Sequence, residues 1–209
     1  MRMIFSVLVA LSTMLFDSAF SAQAQTPTVL SFGGFSAEAR CLAGRTTFSN
    51  EWGWSASGRH RACGSVATYQ FRVTPRLTVG PIAGLYTGGG SVTTVTTDWW
   101  GTQTTTWRER GSINLAVRGV WQASPRWAMY AELGAVRARA QVTVAWDDVW
   151  GTGSVRMNFG MRGAYAEIGG RYRVSERFSM TAGIRQERAR GAGLTARSTV
   201  GTFGALWSF

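Results

Sequence analysis

The sequence predicts an all-β chain: an eight-stranded antiparallel up-and-down transmembrane β-barrel with protruding extracellular hairpins. Three observations predict it: a repeat of about 50 residues, a period-two alternation of apolar and polar residues, and the character of the two chain ends. A Trp-Gly pair stands 25 residues after a hydroxyl-proline pair three times, as Thr26-Pro27 to Trp52-Gly53, Thr74-Pro75 to Trp100-Gly101 and Ser124-Pro125 to Trp150-Gly151. A fourth copy, Ser175-Glu176-Arg177, keeps the interval but has lost the proline and the Trp-Gly. A repeat of this length announces copies of one supersecondary unit.

The unit is a β-hairpin. In the first copy a strand leaves Pro27 and reaches Trp52, although Phe48, Trp52 and Trp54 alternate well enough for an independent strand over 46–56. In that alternative, residues 26–44 form a segment inside or beside the barrel. The second strand carries Ala67, Tyr69, Phe71 and Val73 on one face, and the third carries Leu77, Val79, Pro81, Ala83 and Leu85. The fourth and fifth flank Pro125 with Ile113, Leu115, Val117 and Trp121 on one side and Trp127, Met129 and Leu133 on the other. The sixth precedes Ser175, and the seventh continues with Phe178, Met180, Ala182 and Ile184. The eighth closes with Phe203, Ala205, Trp207 and Phe209. A period of two is the signature of a strand, so each proline marks a tight turn and each Trp-Gly a distant loop.

Alternation alone does not separate a soluble from a membrane barrel; the chain ends do. Residues 1–24 read as a signal peptide, with Arg2, an apolar run from Ile4 to Phe16 and an Ala22-Gln23-Ala24 cleavage site, which leaves residues 25–209 as the barrel. The run is too short to span a bilayer as a helix. The aromatic last strand resembles the closing strand of Gram-negative outer-membrane barrels, and short turns alternating with long loops suit that class. All 22 basic residues are arginine, and 10 Trp with 26 Gly suit interfacial girdles and crowded strands. The residue directly after the expected cleavage site is Gln25 and not cysteine, which argues against a lipid anchor.

Centring each turn on Pro125 or Glu176 fixes a register. Arg118 then meets Glu132, and Glu167 meets Arg185, all on the polar face, which predicts two ion pairs inside the lumen. A lumen of eight strands is narrow enough to be filled by side chains, so a narrow pore is the third functional reading. On the opposite face Arg61, Arg137, Arg139, Arg162, Arg188, Arg190 and Arg197 lie 12 to 14 residues from their inner turn or terminus. Twelve residues rise roughly 30 Å at a tilt of about 40°, just past an apolar band of about 25 Å. These arginines should ring the outer rim and face the phosphates of lipopolysaccharide, which the guanidinium fork suits. The net charge of +11 agrees with an anionic lipid partner, and nucleic acid is not expected.

Cys41 and Cys63 lie nearly symmetrically about Trp52 and are expected to form a disulfide that holds an exposed hairpin together. Two cysteines and one histidine are too few for a usual zinc site, and no cofactor is expected. The hairpins should protrude well beyond the bilayer, with Thr-rich upper parts and with Trp52, Trp54, Trp99, Trp100, Trp146 and Trp150 at the tips. Exposed tryptophans there can contact a surface protein partner, pack on one another or enter outer-leaflet lipid.

Across the whole mature chain this pattern resembles the small eight-stranded outer-membrane proteins: the OmpX/Ail and opacity-type barrels and the membrane domain of OmpA. The resemblance implies a monomer in the outer membrane of a Gram-negative bacterium that serves envelope integrity, surface interaction and adhesion. The alternative is a lipid A-modifying enzyme. Its nucleophile, base and acid would come from Ser55 or Ser57, His60 and Asp98, Asp147 or Asp148. His60 is followed by Arg61 and Ala62, so the His-x-Ser arrangement of outer-membrane deacylases is missing, and a non-enzymatic role is expected.

Overall fold

The structure, a computed structural model, describes residues 34–209. The expected signal peptide and the turn at Pro27 lie outside the described residues. Eight strands follow in chain order: β1 Gly34–Asn50, β2 Ser55–Arg72, β3 Leu77–Asp98, β4 Gly101–Gln122, β5 Trp127–Asp148, β6 Gly151–Arg173, β7 Phe178–Gly191 and β8 Leu194–Ser208. Each pairs antiparallel with the next and β8 pairs with β1, so the sheet closes into a barrel. The Phe209 N–H donates to the Phe35 carbonyl at 3.1 Å and completes the seam.

The short turns owe their shape to the hydroxyl more than to the proline. Thr74 Oγ1 accepts from the Leu77 N–H, Ser124 Oγ from Trp127 and Ser175 Oγ from Phe178, each at 3.1 Å. Glu176 can therefore replace proline without loss of the turn. At the far end Asn50 Oδ1 accepts from the N–H groups of Trp52 and Trp54, and Gly53 takes a left-handed φ of +83°. That turn ends β1 and starts β2, so the independent strand over 46–56 does not form.

Outward from the short turns, each strand presents an apolar row of about five residues. Phe71, Leu85, Leu115, Leu133, Ile168, Ile184 and Phe203 are exposed, as are the aromatic residues Phe35, Trp127, Trp207 and Phe209 near the short-turn end. Their inward neighbours are buried and largely polar: Glu38, Arg40, Thr68, Gln70, Asn114, Arg118, Glu132, Glu167 and Arg185. Leaving large apolar groups exposed around a closed ring while burying charge within is stable only in hydrocarbon. The chain is a transmembrane barrel.

The strands are unequal, which corrects the expectation that all the hairpins project. The strands β3 to β6 run 22 or 23 residues, whereas β7 and β8 run 14 and 15. Pairing of β2 with β3 stops at Arg59↔Ser91 and that of β6 with β7 at Arg162↔Arg190. Above these points β3–β6 continue as one free four-stranded sheet. At the junction β4 carries a bulge between Glu109 and Gly111. The extra residue exchanges the faces of β4, so that Trp107 and Glu109 point inward and Arg108 and Arg110 outward. Opposite it, Gly88 and Gly89 of β3 have left-handed φ values of +90° and +145°. A Cβ on Gly89 would lie 2.5 Å from Glu109 Oε2, and one on Gly90 2.7 Å from Thr46 Oγ1, so these glycines make room for the inward side chains.

Candidate functional site

The outward arginines form a collar directly above the apolar belt. Arg61, Arg137, Arg139, Arg162, Arg188, Arg190 and Arg197 are all exposed. Strand pairing sets several face to face: Arg137 opposite Arg162, Arg162 opposite Arg190, and Arg188 opposite Arg197. Arg45 and Arg59 add another like-charged pair on β1 and β2. Sequence reasoning passed over these two because β1 had no fixed register, although Arg59 shares the parity of Arg61. None of the ion pairs among the described residues involves the collar. Like charges directly opposite each other in a sheet are destabilising by themselves. A neutralising anion removes that cost.

Inside the barrel the charges pair differently from the expectation. Arg118 and Glu132 are opposite in register and bonded, Nε to Oε1 at 2.7 Å. Glu167 and Arg185 are also opposite, but they do not pair. Arg185 Nη2 donates to Glu187 at 2.6 Å, and its guanidinium lies 3.6 Å from the centre of the Tyr165 ring. Glu167 instead holds Arg40, which reaches from β1 to Glu38 at 2.7 Å, Glu132 at 3.0 Å and Glu167 at 3.2 Å. Tyr130 and Thr202 donate to Glu167 and Thr181 donates to Glu38, so the three carboxylates are bonded from several strands. The centre of the network, Glu38 with Arg40, was missed because the first strand was measured from Pro27. The signal was the Cys41↔Cys63 pairing, which puts the even positions of β1 inside. Side chains fill this level of the lumen, which disfavours a pore.

Above the network, beyond the belt, His60 and Glu109 are buried. Glu109 lies 15 residues from the turn at Ser124, roughly 38 Å above it at the barrel tilt. Thr46 Oγ1 lies 2.9 Å from His60 Nδ1 and 2.8 Å from Ser198 Oγ, and the Gly90 N–H donates to Glu109 Oε2 at 3.0 Å. Burial pushes the Glu109 carboxyl up to about 7; nearby Glu187 adds to the rise, while the Gly90 bond and Arg185 oppose it. Burial also lowers the His60 imidazole. Phe48, Trp54, Trp107 and Phe159 pack above this polar group as an apolar lid, in one cluster with Met161. The suggested hydrolytic residues do not meet. His60 is sealed in the lumen, Ser55 and Ser57 are exposed, Ser57 Oγ bonds Thr47 Oγ1, and Asp98 and Asp148 hold hairpin turns.

Cys41 and Cys63 face each other across β1 and β2 and form a disulfide. It lies in the outward wall rather than in the protruding sheet, because the register sets Cys41 opposite Phe203 of the apolar row on β8. The six tip tryptophans divide. Trp52, Trp99, Trp100 and Trp150 are exposed at hairpin tips. Trp54 packs against Trp107 at 5.5 Å, and Trp146 lies across Gly153 on the inner face of the sheet.

No protein-family model matches the chain, and no curated protein is similar to it in sequence. Solved structures are similar in fold. Neisserial surface protein A (NspA) aligns at a TM-score of 0.51 with 17% identity, over 85% of this chain and 98% of that one. The outer-membrane protease OmpT of Escherichia coli aligns at 0.49 with 12% identity, over 90% of this chain and 99% of that one. Ail, the attachment invasion locus protein of Yersinia pestis, aligns at 0.47 with 12% identity, over 84% of this chain and 100% of that one. The chain has the fold of the small eight-stranded outer-membrane β-barrels.

Proposed function

We propose that this protein is a non-enzymatic integral barrel of the outer membrane that holds lipopolysaccharide at its arginine collar and presents the β3–β6 sheet outward for surface interaction. The observation that carries the reading is the set of in-register arginines, Arg137–Arg162–Arg190 and Arg188–Arg197, exposed just above the apolar belt. Arginine forks match phosphate bidentately, and a bound phosphate turns a repulsive row into a favourable one. By binding lipid so, the barrel would tie neighbouring lipopolysaccharide to the wall and support envelope integrity. The sealed position of His60, apart from Ser55 and Ser57, supports a role without hydrolysis. Native mass spectrometry of the protein extracted from outer membranes, beside a variant with Arg137, Arg139, Arg162 and Arg188 changed to Gln, tests it. Lipopolysaccharide should accompany the native protein and leave the variant. If neither carries lipid, the collar is only a solvated ring of charge.

A further inference from the structure

Three hairpin tips are built from one motif: Asn50-Glu51-Trp52-Gly53, Asp98-Trp99-Trp100-Gly101 and Asp148-Val149-Trp150-Gly151. The Asn or Asp is explained by its side-chain oxygen, which accepts from the tryptophan N–H at 3.1, 2.9 and 2.8 Å in turn. Glycine is explained by the turn, as at Gly53. Nothing in the fold requires tryptophan at the third position. Trp52, Trp100 and Trp150 are 86%, 47% and 86% exposed, and Trp99, stacked at 3.9 Å on Trp100, is 81% exposed. The tip of the shorter β7–β8 hairpin, at Ala192-Gly193, has neither tryptophan nor carboxylate. A large apolar residue kept exposed in each of three copied turns points to a contact outside the molecule.

Charge says what kind. Residues 46–58, 92–107 and 140–155 contain Glu51, Asp98, Asp147 and Asp148 and no Arg, Lys or His, in a chain of net charge +11. The nearest arginine to a tip along its strand is five residues away, as with Arg45 from Asn50 and Arg156 from Gly151. That is ~16 Å, about two Debye lengths at physiological salt, so the tips act as a local anionic surface. Indole faces are the best aromatic partners for cations, and carboxylates beside them add to that preference.

We propose that the three tips form a docking surface for a cationic polypeptide segment rich in arginine or lysine, with Trp52, Trp99, Trp100 and Trp150 stacking on its charged groups and Glu51, Asp98, Asp147 and Asp148 pairing with them. This deepens the proposed surface role and rests on the hairpins facing outward. The test titrates the purified full-length barrel, in nonionic detergent and free of lipopolysaccharide, with a labelled oligo-arginine peptide and a neutral oligo-citrulline control, read by anisotropy. The arginine peptide should bind in a salt-dependent way and the citrulline peptide should not. Trp52→Leu/Trp100→Leu/Trp150→Leu should weaken binding by about tenfold or more, and Asp98→Asn/Asp148→Asn, which keeps the turn acceptors, by several-fold. Arg137→Gln/Arg162→Gln should not weaken it, and heat-modifiability on gels reports that each variant is folded. Absence of arginine-peptide binding, equal binding of citrulline, or insensitivity to the tryptophan variant overturns the proposal. Tryptophan-dependent binding to phosphatidylcholine vesicles without peptide binding overturns it in favour of a lipid-facing surface. External protease on intact cells separates the two readings: hairpins that resist it on cells, in a protein that binds the peptide when purified, refute the outward orientation and leave the docking chemistry standing.

Discussion

The membrane-embedded part of the barrel and the sheet above it are made by the same strands yet sort their residues in opposite senses. On β5, Met129 and Leu133 face outward and Glu132 inward; higher up, Val142 is buried inward while Thr143 and Asp147 face out. On β6, Ile168 faces lipid, but Met157 and Val155 lie on the inner face and Arg156, Ser154 and Thr152 on the outer. Outward threonines bond across strands, Thr93 to Thr106 and Thr97 to Thr102. The outer side is apolar where it meets hydrocarbon and largely polar where it meets water, and the change occurs at the arginine collar. A strand therefore records its solvent residue by residue. The β4 bulge at Glu109–Gly111 turns Trp107 inward to the lid and Arg108 out to water.

The comparison breaks most forcefully in the lumen. Replacing Arg40 with Met leaves Glu38, Glu132 and Glu167 facing one another, with Arg118 still bonded to Glu38 and Glu132 and no ion-pair partner left for Glu167 among the described residues. That should cost about 3–5 kcal/mol, read as a shift of the denaturant midpoint in detergent. A change of similar size in the sheet above, Thr105→Met, should move the midpoint little, because no buried charge depends on Thr105. An equal midpoint for native protein and Arg40→Met would refute the idea that the lumen is the charged core of the fold.

A single outward arginine sharpens the same contrast. Leu115→Arg places a guanidinium in the middle of the apolar belt and should destabilise by roughly 2–4 kcal/mol in a bilayer. Thr104→Arg, eleven residues earlier on the same strand and on the watered face of the sheet, should stay within about 0.5 kcal/mol of the native protein. Equal effects would mean that the belt does not meet hydrocarbon or that the sheet does not meet water.

Much of this was legible in the sequence, and the limits have physical causes. Pro75, Pro125 and Glu176 place the inner turns correctly, since the flanking Thr or Ser supplies the acceptor each turn uses. The same centres put Arg118 opposite Glu132 and Glu167 opposite Arg185. Register tells which side chains are neighbours, but it does not tell which cation wins a carboxylate when a third strand reaches across the lumen. Arg40 took Glu167 for that reason. The inversion above the collar was hidden by the bulge: counting upward by twos from Ile113 puts Trp107 and Glu109 on the outer face, whereas the structure has both inside. Only the adjacent Gly88-Gly89-Gly90 run on β3 hinted that the ladder was irregular there. Parity and distance from the turn were enough to place seven arginines of the collar, whereas Arg45 and Arg59 needed the register of β1.

The smallest expected effect concerns the seam between the two regions, where Glu109 lies beneath the apolar lid. Its carboxyl titrates near 7 in the folded protein and near 4.5 when free, so the folded state holds the proton more tightly. The stability linked to that proton is fully present below the free value and is lost as pH rises through about 7. Lowering the pH from 8 to 6.5 should therefore stabilise the barrel by roughly 1 kcal/mol, seen as a rise in Tm. His60 works in the other direction: burial lowers it in the folded state, so below about 6.5 the unfolded chain takes up a proton that the folded chain refuses, and the gain levels off. Glu109→Gln keeps the acceptor for Gly90 and removes the charge, so its Tm should change less across this interval while matching the native protein at the acidic end. A variant that retains the full pH response would assign it to other groups and would leave the bulge as a device for shape alone.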